Sequence, residues 1–198
     1  MNLTLDFYFD FMSPFAHLAH GELLRIATRY AVPIRYLPID LPAAKIAAGN
    51  TGPANRSIPA KLRYLMTDLQ RWATIRQVPF KFPVSLDSQR MNVGTFYAIE
   101  RNSATAYVAA GFDLGWGQGG DIGSDEVLVR LAERMHWSVA DFMRYIENPA
   151  AHSGYAENNR EAHHRRVFGV PTMMIGDDMW WGNDRLDFLE KFLRERPA

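Results

Sequence analysis

Hydrophobic and polar positions along this chain change period twice, and those changes predict its elements. "LTLDFYFDF", near the start, alternates and is rich in aromatic side chains, so it reads as a strand. "FAHLAHGELLRIATRYA" then sets Leu18, Leu23, Leu24 and Ile26 at helical spacing, with Ser13 and Pro14 ahead of it as a cap and a first-turn proline. "PIRYLPID" reads as a second strand. Two strands joined through a helix imply a parallel, right-handed crossover.

From about residue 42 to 161 the pattern is almost wholly helical. "PAKLRYLMTDLQRWATIR" is an amphipathic segment, and "NVGTFYAIERNSATAYVAAGFDLGW" reads as mainly helical with an end near Gly111. "SDEVLVRLAERM" and "SVADFMRYIEN" each open on a capping serine. The pattern then returns to strands in "VPTMMI" and "MWW", with "GDD" (Gly176 to Asp178) as a hairpin turn between them. "NDRLDFLEKFLRER" closes the chain as a helix, with Asn183 and Asp184 at its start and Lys191, Arg194 and Arg196 toward its end. The order β-α-β, helical insert, β-β-α predicts an α/β, thioredoxin-like fold. Residues 1–41 and 162–198 would form the thioredoxin-like domain, and 42–161 an inserted helical domain.

Composition narrows the function. Of 198 residues 47% are hydrophobic, enough for a sizeable core, and 22 basic residues balance 22 acidic ones. With no basic excess, a nucleic-acid partner is not expected. No apolar run reaches membrane-spanning length and no leader pattern stands at the start, so no membrane association and a cytoplasmic location are expected. The chain has no cysteine. It therefore has no disulfide, no Cys-ligated zinc and no thiol of its own.

The candidate chemistry centres on Ser13. A serine before a helix can be a plain N-cap, or its hydroxyl can face a ligand at the positive end of the helix. His17, four residues on, raises a Ser-His pair, but no orienting acid, oxyanion hole or G-x-S-x-G accompanies it. His17, His20, His163 and His164 lack a metal-ligand pattern, and "HHRR" reads as a solvated basic face.

"FDFMSPFAHLA", "KIAAGNTGPANR", "LQRWA", "RMN", "FGVPTM" and "MWWGNDRL", in that order, resemble the 2-hydroxychromene-2-carboxylate isomerase family. That family is related to kappa-class glutathione transferases and DsbA-like oxidoreductases. The resemblance covers nearly the whole chain. It implies a glutathione-dependent isomerase of naphthalene catabolism, acting as a homodimer on a small aromatic 2-oxo or 2-hydroxy carboxylate. It implies that Ser13 meets the sulfur of glutathione, that Val170 and Pro171 form a cis-proline turn, and that Trp181, Gly182, Asn183 and Asp184 hold the γ-glutamyl end. Lys45, Asn55 and Arg56 match the family's substrate-side positions, with Tyr64, Trp72, Arg90, Asn92 and Trp116 as further pocket walls or core residues. Alternatives are a kappa-like transferase conjugating electrophiles and a glutathione-binding protein without catalysis.

The physical reading agrees with Ser13 as the centre. Where redox relatives carry C-x-x-C, this chain reads Ser13-Pro14-Phe15-Ala16, so dithiol exchange is excluded. A free thiol has a pKa of about 8.5 and is mostly protonated near neutrality. A helix terminus contributes about 0.3–1 kcal/mol and a hydrogen bond to a charged group about 1.5–3 kcal/mol. At about 1.4 kcal/mol per unit, the two together lower an external thiol's pKa by roughly one to two units.

Overall fold

A computed structural model describes residues 3–195. Four strands form one mixed sheet in the order β2-β1-β3-β4. They are β1 (Leu5–Phe9), β2 (Ile34–Pro38), β3 (Thr172–Ile175) and β4 (Asp178–Trp181). β1 runs parallel to β2 from Leu5↔Ile34 to Phe9↔Pro38, antiparallel to β3 with Tyr8 opposite Thr172, and β3 pairs antiparallel with β4. Helix α1 (Pro14–Arg29) makes the crossover from β1 to β2.

The two-residue period of β1 builds two cores. Phe7 and Phe9 enter the main cluster with Leu23, Ile26 and Phe112, while Tyr8 points to a smaller one with Ile39, Val167 and Met174. Asp6, on the Tyr8 face, is paired with Arg35 at 2.7 Å and also with Arg165. Arg165 further donates to Tyr8 Oη at 3.0 Å and to the Gly176 carbonyl at 2.6 Å. The "HHRR" stretch is therefore not a uniformly solvated face, because its third residue neutralises a buried carboxylate.

Between β2 and β3 lie α2 (Leu41–Ala47), a 3-10 turn (Asn55–Ser57), α3 (Pro59–Arg76), α4 (Gln89–Glu100), α5 (Ala104–Phe112), a π turn (Asp113–Gly117), α6 (Asp125–Arg134), α7 (Val139–Ile146) and α8 (Pro149–His164). The segment expected to be mainly helical up to Gly111 divides at residues 101–103, where Asn102 adopts φ +52°. α5 then folds back on α4. A methyl group on Gly94 would overlap the Tyr107 hydroxyl, which donates to the Met91 carbonyl at 2.8 Å. Glycine is required there for close approach of the two helices. Met91, Val93, Tyr107 and Phe112 share one core with Phe7 and Phe9, so insert and sheet are packed as one body.

The hairpin turn is Gly176-Asp177, with Asp178 already in β4 opposite Ile175. Gly176 takes φ +60°, which a two-residue hairpin loop demands. Asn183–Arg185 is a separate 3-10 turn before α9 (Leu186–Glu195), which buries Leu186, Leu189 and Leu193; Arg196 lies outside the described residues. The sheet order and inserted helices are the thioredoxin-like arrangement expected from the sequence.

Candidate active site

Ser13 stands where β1 hands over to α1. Its φ of −93° and ψ of 114° are those of an N-cap, and its Oγ accepts the Ala16 N–H at 3.3 Å. The oxygen spends a lone pair on the cap and keeps its O–H to donate. The three N–H groups of the turn ahead of it are all bonded. The Phe11 N–H donates to Asn92 Oδ1 at 3.1 Å, the Met12 N–H to Asp10 Oδ1 at 3.1 Å, and the Ser13 N–H to the Asp10 carbonyl at 2.9 Å. Ser13 is only 3% exposed. A sulfur brought to it leaves water, which favours the thiol, so the hydrogen bond and helix terminus must outweigh that penalty to yield a thiolate.

The second wall lies at the same end of the sheet. Thr172 pairs with Tyr8 on one side and Trp181 on the other, so Pro171 and Gly182 flank the end of β1 that leads to Ser13. The Val170–Pro171 peptide is cis. The β1–β3 ladder begins at Thr172, leaving Val170 beyond the sheet's own pairing. The Gly182 N–H donates to the Pro171 carbonyl at 2.9 Å. Trp181, 52% exposed, packs edge-on against Phe168 with ring centroids 4.8 Å apart.

Asn183 is 3% exposed, and its amide nitrogen has no hydrogen-bond partner among the described residues. An unsatisfied buried donor costs about 1–3 kcal/mol, and this amide nitrogen has a hydrogen bond left to give. Asp184 is exposed and pairs with Arg185 at 3.0 Å. Arg76, at the end of α3, was not singled out from sequence. It donates to the Asn183 carbonyl at 3.3 Å, lies 3.8 Å from Glu22 and stacks over Trp72 at 5.2 Å. Only its cationic place in a last helical turn marks it in the sequence.

The substrate-side candidates occupy the stretch from α2 to the 3-10 turn. Lys45 is exposed in the last turn of α2. Asn55 is exposed and accepts from Lys61 Nζ at 3.1 Å. Arg56 lies on the same turn, its side chain outside the described residues. Tyr64 is exposed on α3, and Trp72 is half-buried under Arg76. Arg90 is held by Asp125 at 2.6 Å; Glu147 lies 2.7 Å from its Nε, outside hydrogen-bond angle. Asn92 and Trp116 belong to the interior. Trp116 Nε1 donates to the Phe11 carbonyl at 2.8 Å, and Asn92 Nδ2 reaches Asp10 at 2.9 Å and Tyr155 at 3.1 Å.

The histidines of α1 are core residues. His17 Nε2 sits 3.0 Å from the Pro79 carbonyl, and burial lowers its pKa despite that bond and nearby Asp113. His20 Nε2 lies 3.0 Å from Tyr36 Oη, and burial, with a smaller contribution from His17, pushes its pKa down to about 3. Burial also raises the Asp10 carboxyl, opposed by hydrogen bonds from Ser88, Leu41, Asn92 and Met12.

Residues 4–194 match the DSBA-like thioredoxin domain, so the chain is a member of that class. Within it the chain belongs to the 2-hydroxychromene-2-carboxylate isomerase family. The isomerase of Pseudomonas putida is 45% identical over 95% of this chain and 93% of its own length. A solved 2-hydroxychromene-2-carboxylate isomerase superposes with a TM-score of 0.92 at 44% identity, covering 96% of this chain and 94% of that one. A glutathione S-transferase kappa 1 of Caenorhabditis elegans is 38% identical over 40% of this chain and 34% of its own.

Proposed function

We propose that this protein is a glutathione-dependent isomerase that interconverts 2-hydroxychromene-2-carboxylate and trans-o-hydroxybenzylidenepyruvate in aromatic hydrocarbon (naphthalene) catabolism. The observation that carries the glutathione reading is the pairing of a cysteine-free helix start with a second wall at the same sheet end. The Ser13 cap keeps an O–H to donate, and the wall holds a buried Asn183 amide nitrogen without a partner among the described residues. The groups fit a thiol-bearing peptide: a hydroxyl donor for the sulfur, an amide donor and helix start for a carboxylate, and the Asp184 carboxylate as acceptor for an ammonium.

When bound, glutathione would supply a thiolate nucleophile that adds reversibly to a conjugated ketone, allows rotation and leaves unchanged. Ser13 lowers the sulfur's pKa by donating its hydroxyl proton in a hydrogen bond at the positive end of α1. Val170 and Pro171 align an extended backbone, as an added strand would be aligned. Trp181, Gly182, Asn183 and Asp184 fix its γ-glutamyl end. Lys45 and Arg56 attract the pyruvate carboxylate, and Asn55 donates to a hydroxyl or carbonyl of the substrate. Holding both reactants in reach is worth several kcal/mol of barrier in general.

The test is an ultraviolet isomerisation assay with and without glutathione. Turnover that requires glutathione without consuming it supports the isomerase; stoichiometric consumption supports a kappa-like transferase; thermal stabilisation without turnover supports a binding protein. The family resemblance also supports a homodimer, checked by light scattering; the cytoplasmic location expected from the sequence is checked by cell fractionation.

A further inference from the structure

We propose that Asp10 is a positioning residue that locks the Ser13 turn and the start of α2 into one geometry, and so sets the thiol side of the site against the substrate side. This rests on the reading of Ser13 and Lys45 given above. Asp10 is 1% exposed, and its two oxygens are divided between the two halves. Oδ1 accepts the Met12 N–H at 3.1 Å, within the turn that presents Ser13, together with Ser88 Oγ at 2.5 Å and Asn92 Nδ2 at 2.9 Å. Oδ2 accepts the Leu41 N–H at 2.9 Å.

Leu41 is the first residue of α2, and Lys45 lies four residues on, one turn along the same face. Asn92 cannot turn over without loss, because its Oδ1 takes the Phe11 N–H while its Nδ2 points at Asp10. The carboxylate thus meets four donors. Only an acceptor at both oxygens satisfies all of them. An amide at this position aims N–H groups at the Leu41 donor or at the Ser13-turn donors, and one link breaks. The cluster lies away from water, with Asp10, Ser88 and Asn92 all buried, and Asn92 Nδ2 also donates to the Tyr155 hydroxyl at 3.1 Å.

The link to α2 can be cut alone. Leu41→Pro removes only the donating N–H from the backbone. Proline is accepted at a first helical position, and Asp40, at φ −81° and ψ 101°, already has a backbone compatible with a following proline. Leu41→Ala trims the side chain and keeps the N–H. Relative to Leu41→Ala, Leu41→Pro is expected to raise KM for the benzylidenepyruvate, and Kd for benzoylformate by calorimetry, about tenfold. KM for glutathione should stay the same in both variants. Asp10→Asn should raise the substrate KM and lower kcat together. Equal substrate KM and benzoylformate Kd in the two Leu41 variants would overturn the proposal, whether or not Asp10→Asn folds. Wild-type protein assayed alongside separates the two failures: no glutathione-dependent turnover removes the underlying reading and the proposal with it, whereas normal wild-type turnover with matching Leu41 variants removes the positioning role alone.

Discussion

The Gly182 N–H donates to the Pro171 carbonyl over 2.9 Å, joining the cis-proline turn to the Trp181–Asp184 loop across paired strands. Two segments that sequence shows as separate motifs are joined here, at the end of the sheet where β1 leads to Ser13.

Ser13→Ala removes the cap acceptor and the proposed thiol donor together. The cap is worth about 1 kcal/mol, so the variant is expected to fold with a slightly lower melting temperature. Turnover should fall by about two orders of magnitude, as when one oxyanion-hole donor is deleted. Near wild-type kcat in a folded variant would falsify the role of this hydroxyl.

Gly169→Ala tests the Trp181 wall without touching it covalently. A methyl group at Gly169 would lie 2.7 Å from Trp181 Nε1. Trp181 is half-exposed and can shift, so the melting temperature should change little while KM for glutathione rises. An unchanged glutathione KM would argue that Trp181 does not contact the tripeptide.

Asp184→Asn removes one exposed negative charge beside Arg185. Its effect on stability should be about 0.5 kcal/mol or less. If Asp184 meets the ammonium of glutathione, KM for glutathione rises and kcat at saturation is retained. Affinity can be read independently by calorimetry with glutathione alone.

Lys45→Ala should raise KM for the carboxylate substrate about tenfold, as expected for loss of a charged hydrogen bond. Because Lys45 is exposed, the thermal midpoint should match wild type. A loss confined to glutathione affinity would move Lys45 to the other side of the site.

His20 makes stability depend on acid. Its folded pKa, about 3, lies below the ordinary 6.5. The unfolded chain therefore binds the extra proton first, and the cost grows as pH falls below about 6.5 toward the folded value. At pH 5 this amounts to about 2 kcal/mol of lost stability. His17 acts in the same direction and Asp10 in the opposite one. The difference between wild type and His20→Gln in urea melts at pH 7 and pH 5 isolates the His20 share. Parallel losses in both proteins would show that His20 does not contribute.

Much of the proposed site can be read from sequence because its motifs are local. Ser13-Pro14 at a helix start, Val170-Pro171 before a strand and Trp181-Gly182-Asn183-Asp184 after one are each written in consecutive residues. Asn92 and Trp116 were ambiguous because a polar or aromatic residue on a helix reads alike as a pocket wall or as core. Their burial and their bonds to Asp10 and the Phe11 carbonyl assign them to the interior. Arg76 and Asp10 stayed hidden because their partners lie far along the chain: Asn183 for one, Leu41, Ser88 and Asn92 for the other.

The sequence by itself determined the order of the elements, the absence of a thiol and the motif content, since periodicity, composition and local turns depend only on neighbouring residues. The tertiary structure decided the rest. Helices α4 to α8 share a core with the sheet, Arg165 is drawn from a basic run to neutralise Asp6, and Asp10 accepts from both the turn before α1 and the start of α2. Each of these depends on burial, and a buried charge or amide takes whatever partner the fold brings within hydrogen-bond reach, at whatever distance along the chain.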